Sequence, residues 1–444
     1  MSRTVKHIGR RGFLKATAKL AAGAVAFPYI VQSSALGKAG TVAPSNRVVV
    51  GCIGVGPQGS GVMGGFLRQP DAQVVAICDV KAFVREGVQK RVDQHYQTND
   101  CKGYNDFREL LARDDIDAVM IATCDHWHVL TSLAAAKAGK DVYLEKPMGL
   151  SLAEDQALRA ACHQYGTVFQ FGTQQRSDRK FRLACELALN GRMGKVHTIN
   201  VLSPSSIPGG TMQGAPIPEG LDYEMWLGPS PYTPYTKDRC VNNYWWHNSD
   251  YAVGFIAGWG VHPLDIALWG GGDAVAGPVE LEGTGSFPVD GFRDAATQWR
   301  IVLKYDSGIV MNYVGGPQPA EWRQRYGRDG HGVAFEGPDG WVHVNRGRIT
   351  AEPKSLLESV IGHNEIQLYK SNNHVRNFLD CVKSRAETIC PIDVAVQADI
   401  ACHISDIALR TRRKIRWDPV KEVIVGDAEA SRRLTRSMRS PWHL

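Results

Sequence analysis

A chain of 444 residues, 43% hydrophobic and 22% charged, can bury more than one apolar core, and its length allows two or three domains. The formal net charge of +6 is small for this size, and part of it sits in the run Arg410-Thr411-Arg412-Arg413-Lys414-Ile415-Arg416, which reads as a solvated helix end, so nucleic acid is not favoured as a partner. Ten cysteines include no Cys-x-x-Cys pair, and Cys52, Cys78, Cys124, Cys381 and Cys402 fall in or beside apolar strand runs or on helical patterns, which argues against a zinc knot and a disulfide framework.

Near its start the chain carries Arg10-Arg11-Gly12-Phe13-Leu14-Lys15, then the alanine-rich apolar stretch Ala16 to Val31, then the small residues Ser33-Ser34-Ala35-Leu36-Gly37. That is the layout of an export signal, and the paired arginines resemble a twin-arginine signal; an amphipathic soluble helix with a basic start is the alternative. Lys19 makes the stretch too short and polar to span a bilayer, and no later run is long enough, so no stable membrane insertion is expected after signal removal. Resemblance to the signal implies passage of the folded protein through the twin-arginine export machinery and a periplasmic or otherwise exported location.

After the signal, the run Val48-Val49-Val50-Gly51-Cys52-Ile53 leads directly into Gly54-x-Gly56-x-x-Gly59 and a helical pattern. The first glycine suits the tight turn, the second the approach of a pyrophosphate, and the third close contact of helix with strand, while the helix start offers free amides to phosphate. With 46 glycines in the chain a plain strand-helix turn remains the alternative. A second apolar run, Gln73 to Cys78, ends in Asp79, placed where a carboxylate accepts from an adenosine ribose. Asp79 therefore points to NAD, with Lys81 and Arg85 keeping NADP open and a helix-capping role as the alternative.

A polar helix to about Gln97, a loop and short helix over Tyr104 to Leu111, a strand over Asp117 to Thr123, an alanine-rich helix over Leu130 to Gly139 and a strand over Asp141 to Leu144 follow. This alternation predicts a doubly wound parallel sheet with its chemistry at the carboxyl ends of the strands. Two strand ends carry Asp125-His126-Trp127-His128 and Glu145-Lys146-Pro147. No third ligand accompanies His126 and His128, so a loop against the cofactor is preferred to a metal site, and no metal is expected. Lys146, beside a glutamate and a rigid proline, is placed where a nicotinamide would lie; a surface lysine in a turn is the alternative.

The glycine turn, Asp125-His126-Trp127-His128, Glu145-Lys146-Pro147 and the later Gly260-x-His262-x-x-Asp265 together resemble the Gfo/Idh/MocA oxidoreductase family, named for glucose-fructose oxidoreductase and inositol dehydrogenase. Trp417-Asp418-Pro419 and Gly426-Asp427-Ala428-Glu429-Ala430 are similar to the tail of its secreted, twin-arginine branch. The resemblance implies an α/β protein. Residues 1–40 form the signal, 41–166 an N-terminal NAD(P)-binding Rossmann domain, and 167–444 a C-terminal α+β domain with a largely antiparallel open sheet for substrate binding and oligomerisation, as a homodimer or homotetramer. Candidate strands at Val196 to Val201, Val279 to Gly283, Gln298 to Tyr305, Ile309 to Val314, Gly332 to Glu336 and Gly340 to Val344 suit that sheet, the first alternating as a half-buried strand does.

For the site, the resemblance implies cofactor contacts from Gly54, Gly56, Gly59, Asp79, Asp125, His128, Glu145 and Lys146. It makes His262 the catalytic base, with Lys146 stabilising the reacting oxygen and Asp265 orienting the histidine or its helix. Gln174, Arg176, Trp245, Asp250, Trp259 and His262 are the candidate substrate contacts, tryptophan faces being suited to sugar rings. One departure stands out: where the family often has an aspartate four residues before the histidine, this chain has Gly258, with Asp250, Tyr251 and His247 as candidate substitutes. The expectation is an exported NAD(P)-dependent oxidoreductase acting on a CH–OH group of a sugar, its NAD tightly bound because no exchange pool exists outside the cytoplasm. Cleavage of a glycoside through a transient keto sugar, and a non-catalytic binding protein on the same fold, are the alternatives.

Overall fold

The computed structural model describes residues 42–241 and 244–444; the expected export signal, residues 1–40, lies outside the described residues. Residues up to Arg47 stand as a unit of their own, in which a 3-10 turn at Pro44–Asn46 is followed by Arg47, whose guanidinium donates to the Val42 carbonyl at 2.8 Å. Everything from Val48 onward forms the second unit.

Apolar runs bounded by helical patterns become β1 (Val48–Ile53), α1 (Pro57–Leu67), β2 (Ala72–Cys78), α2 (Ala82–Tyr96), β3 (Lys102–Tyr104), α3 (Phe107–Leu111), β4 (Ala118–Ile121), α4 (Asp125–Lys137), β5 (Asp141–Leu144), α5 (Leu152–Tyr165) and β6 (Phe169–Phe171). The strands form a six-stranded sheet in the order β3-β2-β1-β4-β5-β6, with every pairing parallel. Strand order reverses between β1 and β4, which opens a crevice at the carboxyl ends of these two strands.

Past β6 come α6 (Arg179–Leu189), β7 (Thr198–Ser203), α7 (Tyr223–Leu227), α8 (Phe255–Gly258) and α9 (Val261–Gly271). Next are β8 (Glu280–Ser286), β9 (Gln298–Lys304), β10 (Val310–Gly315), α10 (Ala320–Tyr326), β11 (Gly332–Gly337), β12 (Gly340–Val344) and β13 (Ile349–Glu352). The chain ends through α11 (His374–Ser384), α12 (Ile392–Thr411), β14 (Ile415–Asp418), β15 (Val423–Ile424) and α13 (Ala428–Ser431). The second sheet runs β13-β12-β11-β7-β10-β9-β8-β14-β15 and is antiparallel except for the parallel pair β7 and β10. A Rossmann-like parallel sheet followed by a mixed, largely antiparallel sheet is the architecture expected from the sequence.

Alternate residues of β1 serve opposite faces of the first sheet, as the pleat requires. Val50 and Cys52 join a core with Phe66 of α1 and Phe378 of α11, whereas Ile53 joins a second core with Leu110 of α3 and Leu130 of α4. Residues 374–384 thus cover the first sheet although they lie within the stretch 167–444 expected to form the second domain. Phe66 fastens them there, edge-on to Tyr143 at 5.8 Å and to Phe378 at 6.1 Å.

One strand differs from its reading. β7 is buried on both faces beyond Thr198 rather than half-buried. A central position in the sheet covers it, and its buried Asn200 is satisfied there: the amide donates to Tyr326 Oη at 2.9 Å and its oxygen accepts from Asn312 at 2.8 Å. Among the described residues no helix is long and apolar enough to cross a membrane, and all ten cysteines are free.

Phe66→Ala should cost about 3–5 kcal/mol of stability, because it opens a cavity under both α11 and β5. Chemical denaturation with a tryptophan fluorescence readout measures this, and a loss below about 1 kcal/mol would show that α11 is held by other contacts.

Candidate active site

Gly54 sits at φ +77°, where an added Cβ would lie 2.5 Å from the Thr123 amide nitrogen. A Cβ on Gly59 would come within 2.0 Å of the Gly54 carbonyl oxygen, so only glycine lets α1 rest on the end of β1. Gly56 caps α1 without a side-chain hydrogen bond, which leaves first-turn amides open to an anion. Beside this cradle the Asp79 carboxylate accepts from Val55 N at 3.0 Å and Lys81 N at 2.9 Å. Burial raises its pKa and those two amides oppose the rise. The two cations that kept NADP open are both hydrogen-bonded to the protein: Lys81 Nζ donates to the Cys240 carbonyl at 2.6 Å, and Arg85 to the Asp79 carbonyl at 2.5 Å.

A cavity of about 440 Å³ extends from Gly54, Gly56, Gly59 and Asp79 past Asp125 and His128 to Glu145, Lys146, Trp245 and Trp246. The open amides, the glycine clearance and the ribose-side carboxylate together fit a dinucleotide. Asp125 and His128 reach this cavity from the first turn of α4, not from a loop: the helix begins at Asp125, five residues before the start expected at Leu130. Tertiary partners extend it, since a carbonyl can only accept and both rings find one. His126 Nε2 donates to Trp226 O at 2.8 Å, and His128 Nδ1 donates to Pro147 O at 2.6 Å. Burial pushes both imidazoles down to about 4.

At the end of β5, Glu145 Oε1 accepts from Gln174 Nε2 at 2.7 Å, while its Oε2 is buried without a partner. Lys146 Nζ donates to the Gly258 carbonyl at 2.9 Å and lies 5.7 Å over the ring of Trp246. The group facing Lys146 at the departure is therefore the backbone carbonyl of α8, not Asp250, Tyr251 or His247. Asp250 has Arg436, Asp294 and Arg239 as its charged neighbours, Tyr251 Oη accepts from Arg239, and His247 rests against Phe255.

His262, in the first turn of α9, is buried, and desolvation followed by the nearby Lys146 and Arg346 charges holds its pKa well below the usual value. The imidazole is neutral, its Nδ1 sealed without a partner. Trp259 stands 5.7 Å from the His262 ring, 4.6 Å from His331 and 5.0 Å under the Arg346 guanidinium. Arg176, expected at sugar hydroxyls, is corrected to another task. It is buried, grips Asp265 through bonds of 2.7–2.9 Å and lies 4.9 Å over Trp269, so that it anchors the helix that carries His262.

Behind the Lys146 turn, Asp399 Oδ2 accepts from Met148 N at 2.5 Å and His403 Nε2 lies 3.0 Å from Asp155 Oδ2. These three side chains have the spacing of metal ligands, and burial raises the pKa of both carboxyl groups. Sequence reading left Trp246 balanced between packing and substrate contact and missed His331 and Arg346 altogether. Trp246 shared an aromatic run with Trp245, but nothing local marked the other two, which lie just before β11 and on the β12–β13 turn.

Residues 48–173 match the Gfo/Idh/MocA oxidoreductase family's NAD-binding Rossmann fold, and residues 209–444 its C-terminal alpha/beta domain. A Glycosyl hydrolase family 109 protein 2 of a Shewanella species is 36% identical over 159 residues, covering 33% of this chain and 35% of that protein. The alpha-N-acetylgalactosaminidase of Shewanella oneidensis is 34% identical over 166 residues, with 33% and 35% covered. The chain thus spans about a third of the length of the curated relatives it matches. Among solved structures, the aldose-aldose oxidoreductase of Caulobacter crescentus superposes with a TM-score of 0.62 at 19% identity, over 83% of this chain and 99% of that one. The WlbA dehydrogenase of Bordetella pertussis, in complex with NADH and UDP-GlcNAcA, gives 0.62 at 15% identity, over 84% and 99%.

Asp265→Asn strands the Arg176 guanidinium in the interior and should cost about 3–5 kcal/mol, whereas replacing both residues by apolar ones of similar volume should recover most of it. Thermal unfolding of the single and double variants tests this; equal destabilisation by both would mean that the pair itself is not what holds α9.

Proposed function

The chain belongs to the Gfo/Idh/MocA family and is an NAD-binding oxidoreductase, and we propose that it acts, after export, on a CH–OH group of a sugar or sugar derivative with firmly held NAD. The observation that carries the reading is the hydrogen bond from Lys146, which lines the dinucleotide cavity, to the Gly258 carbonyl just before His262, whose imidazole feels the lysine's charge. When bound, NAD supplies the hydride acceptor. His262, neutral and sealed at Nδ1, takes the hydroxyl proton at Nε2. Lys146 has one of its three N–H groups on the Gly258 carbonyl, and the others donate to the reacting oxygen as negative charge develops. Glu145, tied to Gln174, and Arg176, tied to Asp265, hold the two halves of this arrangement in place.

Export through the twin-arginine machinery to the periplasm, on the pattern of the family's secreted branch, accounts for firm retention of the dinucleotide, since a folded protein carries it across. A homodimer or homotetramer built on the second domain goes with this reading. A second reading, cleavage of a glycoside through a transient keto sugar, draws support from the glycosidase relatives that match a third of the chain. Release of an aglycone with no net change in reduced nicotinamide would favour cleavage; a stable keto sugar or lactone would favour net oxidation. A binding protein without turnover is the third.

Lys146→Ala and His262→Asn should each lower kcat by about two to four powers of ten while the nicotinamide content of the purified protein, read by absorbance, stays constant. A wild-type protein that holds no dinucleotide, or no difference in turnover between wild type and both variants, would sink the proposal. The pH profile gives a further check. A base works deprotonated, so its activity is present above its pKa and lost below; with the His262 pKa held under the ordinary 6.5, kcat/KM should stay level through pH 6.5 and fall only in more acid solution. An acid limb at or above pH 6.5 would remove His262 from that role.

A further inference from the structure

Arg346 lies on the turn between β12 and β13, and the turn is tightly held. Asn345 Oδ1 accepts from Gly347 N and Arg348 N, both at 2.8 Å, and its amide donates to Asp329 at 2.7 Å. Arg348, two residues on, has a carboxylate partner in Asp329 at 2.9 Å. Arg346 has none among the described residues. Its guanidinium rests 5.0 Å over Trp259, its backbone N–H donates to His331 Nε2 at 3.4 Å, and its charge reaches His262.

Arg346 is exposed, and its guanidinium is held over Trp259 by the turn rather than by an ion pair, which leaves its donors open to a ligand. No neighbour makes an ion pair with it. His262 and His331 are neutral, their pKa values lowered by burial and by Arg346 itself, and Glu145, whose charge reaches Arg346, is tied through Oε1 to Gln174 with its Oε2 unpartnered. A second cation, Lys146, donates to a backbone carbonyl, lies over Trp246 and has the buried Asp125 carboxyl within electrostatic reach. Beside that carbonyl there is room: a Cβ built on Gly258 meets no heavy atom within 4 Å, and Gly258 is not in the left-handed region, so the space is not a by-product of backbone strain. Two cations, an open volume and an aromatic face therefore converge where the sugar would sit.

We propose that the substrate is an acidic sugar and that Arg346 reads its anionic group, with the planar fork of the guanidinium suited to a carboxylate such as that of a uronate. The inference rests on the sugar reading above and deepens it. In it Lys146 and His262 serve the reacting CH–OH, while Arg346 fixes which end of the ring points away from them. It also gives the bare Gly258 a use, since a side-chain carboxylate at that point would repel the substrate's own.

The test uses NAD-loaded wild type, Arg346→Gln, Arg346→Lys and Gly258→Asp with a panel of gluco-, galacto- and manno-configured sugars, each as the neutral sugar, the uronate and the 6-phosphate. In the wild type kcat/KM should favour the uronate over its neutral counterpart. That ratio should fall about ten- to a hundredfold in Arg346→Gln, chiefly through KM, recover in part in Arg346→Lys, and fall also in Gly258→Asp. Preference for the 6-phosphates would reassign the anion from carboxylate to phosphate and overturn the uronate. Preference for neutral sugars, or an equal effect of Arg346→Gln on neutral and acidic members, would overturn the proposal altogether. If no member reduces the bound nicotinamide, titration of the same panel by tryptophan fluorescence still decides it: acid-selective binding lost in Arg346→Gln upholds the role of Arg346 while the oxidoreductase reading fails, and unselective binding or none rejects both.

Discussion

The hydrogen bond from Lys146 Nζ to the Gly258 carbonyl joins the end of a Rossmann strand to the end of a helix in the second domain, and the rest of the site is arranged around it. A carbonyl fixes the position of an ammonium without neutralising its charge. Lys146 is thereby aimed and still has donors and a full positive charge to offer a developing oxyanion, in a setting where desolvation makes such a charge count for more than it would in water. A carboxylate in the same place would also position the lysine but would spend much of that charge.

Around this bond the interior separates its charged groups from its neutral ones. Arg176 and Asp265 are buried as a pair and stiffen the helix that presents His262. The histidines His128, His262 and His331 are instead held neutral by desolvation, with neighbouring cations adding to the effect. A neutral imidazole beside a fixed ammonium is what general-base chemistry at a hydroxyl group requires, because the base must be free to accept and the oxygen must meet positive charge.

Much of the first domain was legible because its motifs are local. The Gly54, Gly56 and Gly59 spacing follows from one strand-helix turn whose clearances leave no room for a Cβ at Gly54 or Gly59, and Asp79 follows from being the next residue after a strand. Glu145-Lys146-Pro147 stood out for the same reason, at the end of a short apolar run. Arg176 was misread because its partner, Asp265, is remote in sequence, and a lone arginine after a strand looks equally suited to a hydroxyl or to a carboxylate. The early start of α4 escaped notice because carbonyls of distant segments, Trp226 and Pro147, satisfy its two histidines.

From its own residues the chain determined a parallel nucleotide-binding sheet followed by a largely antiparallel one and the seat of the dinucleotide, because backbone sterics and apolar periodicity act between near neighbours, whereas His262 was singled out only through the family resemblance. Folding in three dimensions decided which groups meet across the cleft: that a backbone carbonyl faces Lys146, that α11 crosses back to the first sheet, and that Arg346 hangs over Trp259, itself beside His262. Those outcomes depend on long-range contacts between elements far apart in the chain, whose energies are set by burial and charge and leave no mark on local sequence spacing.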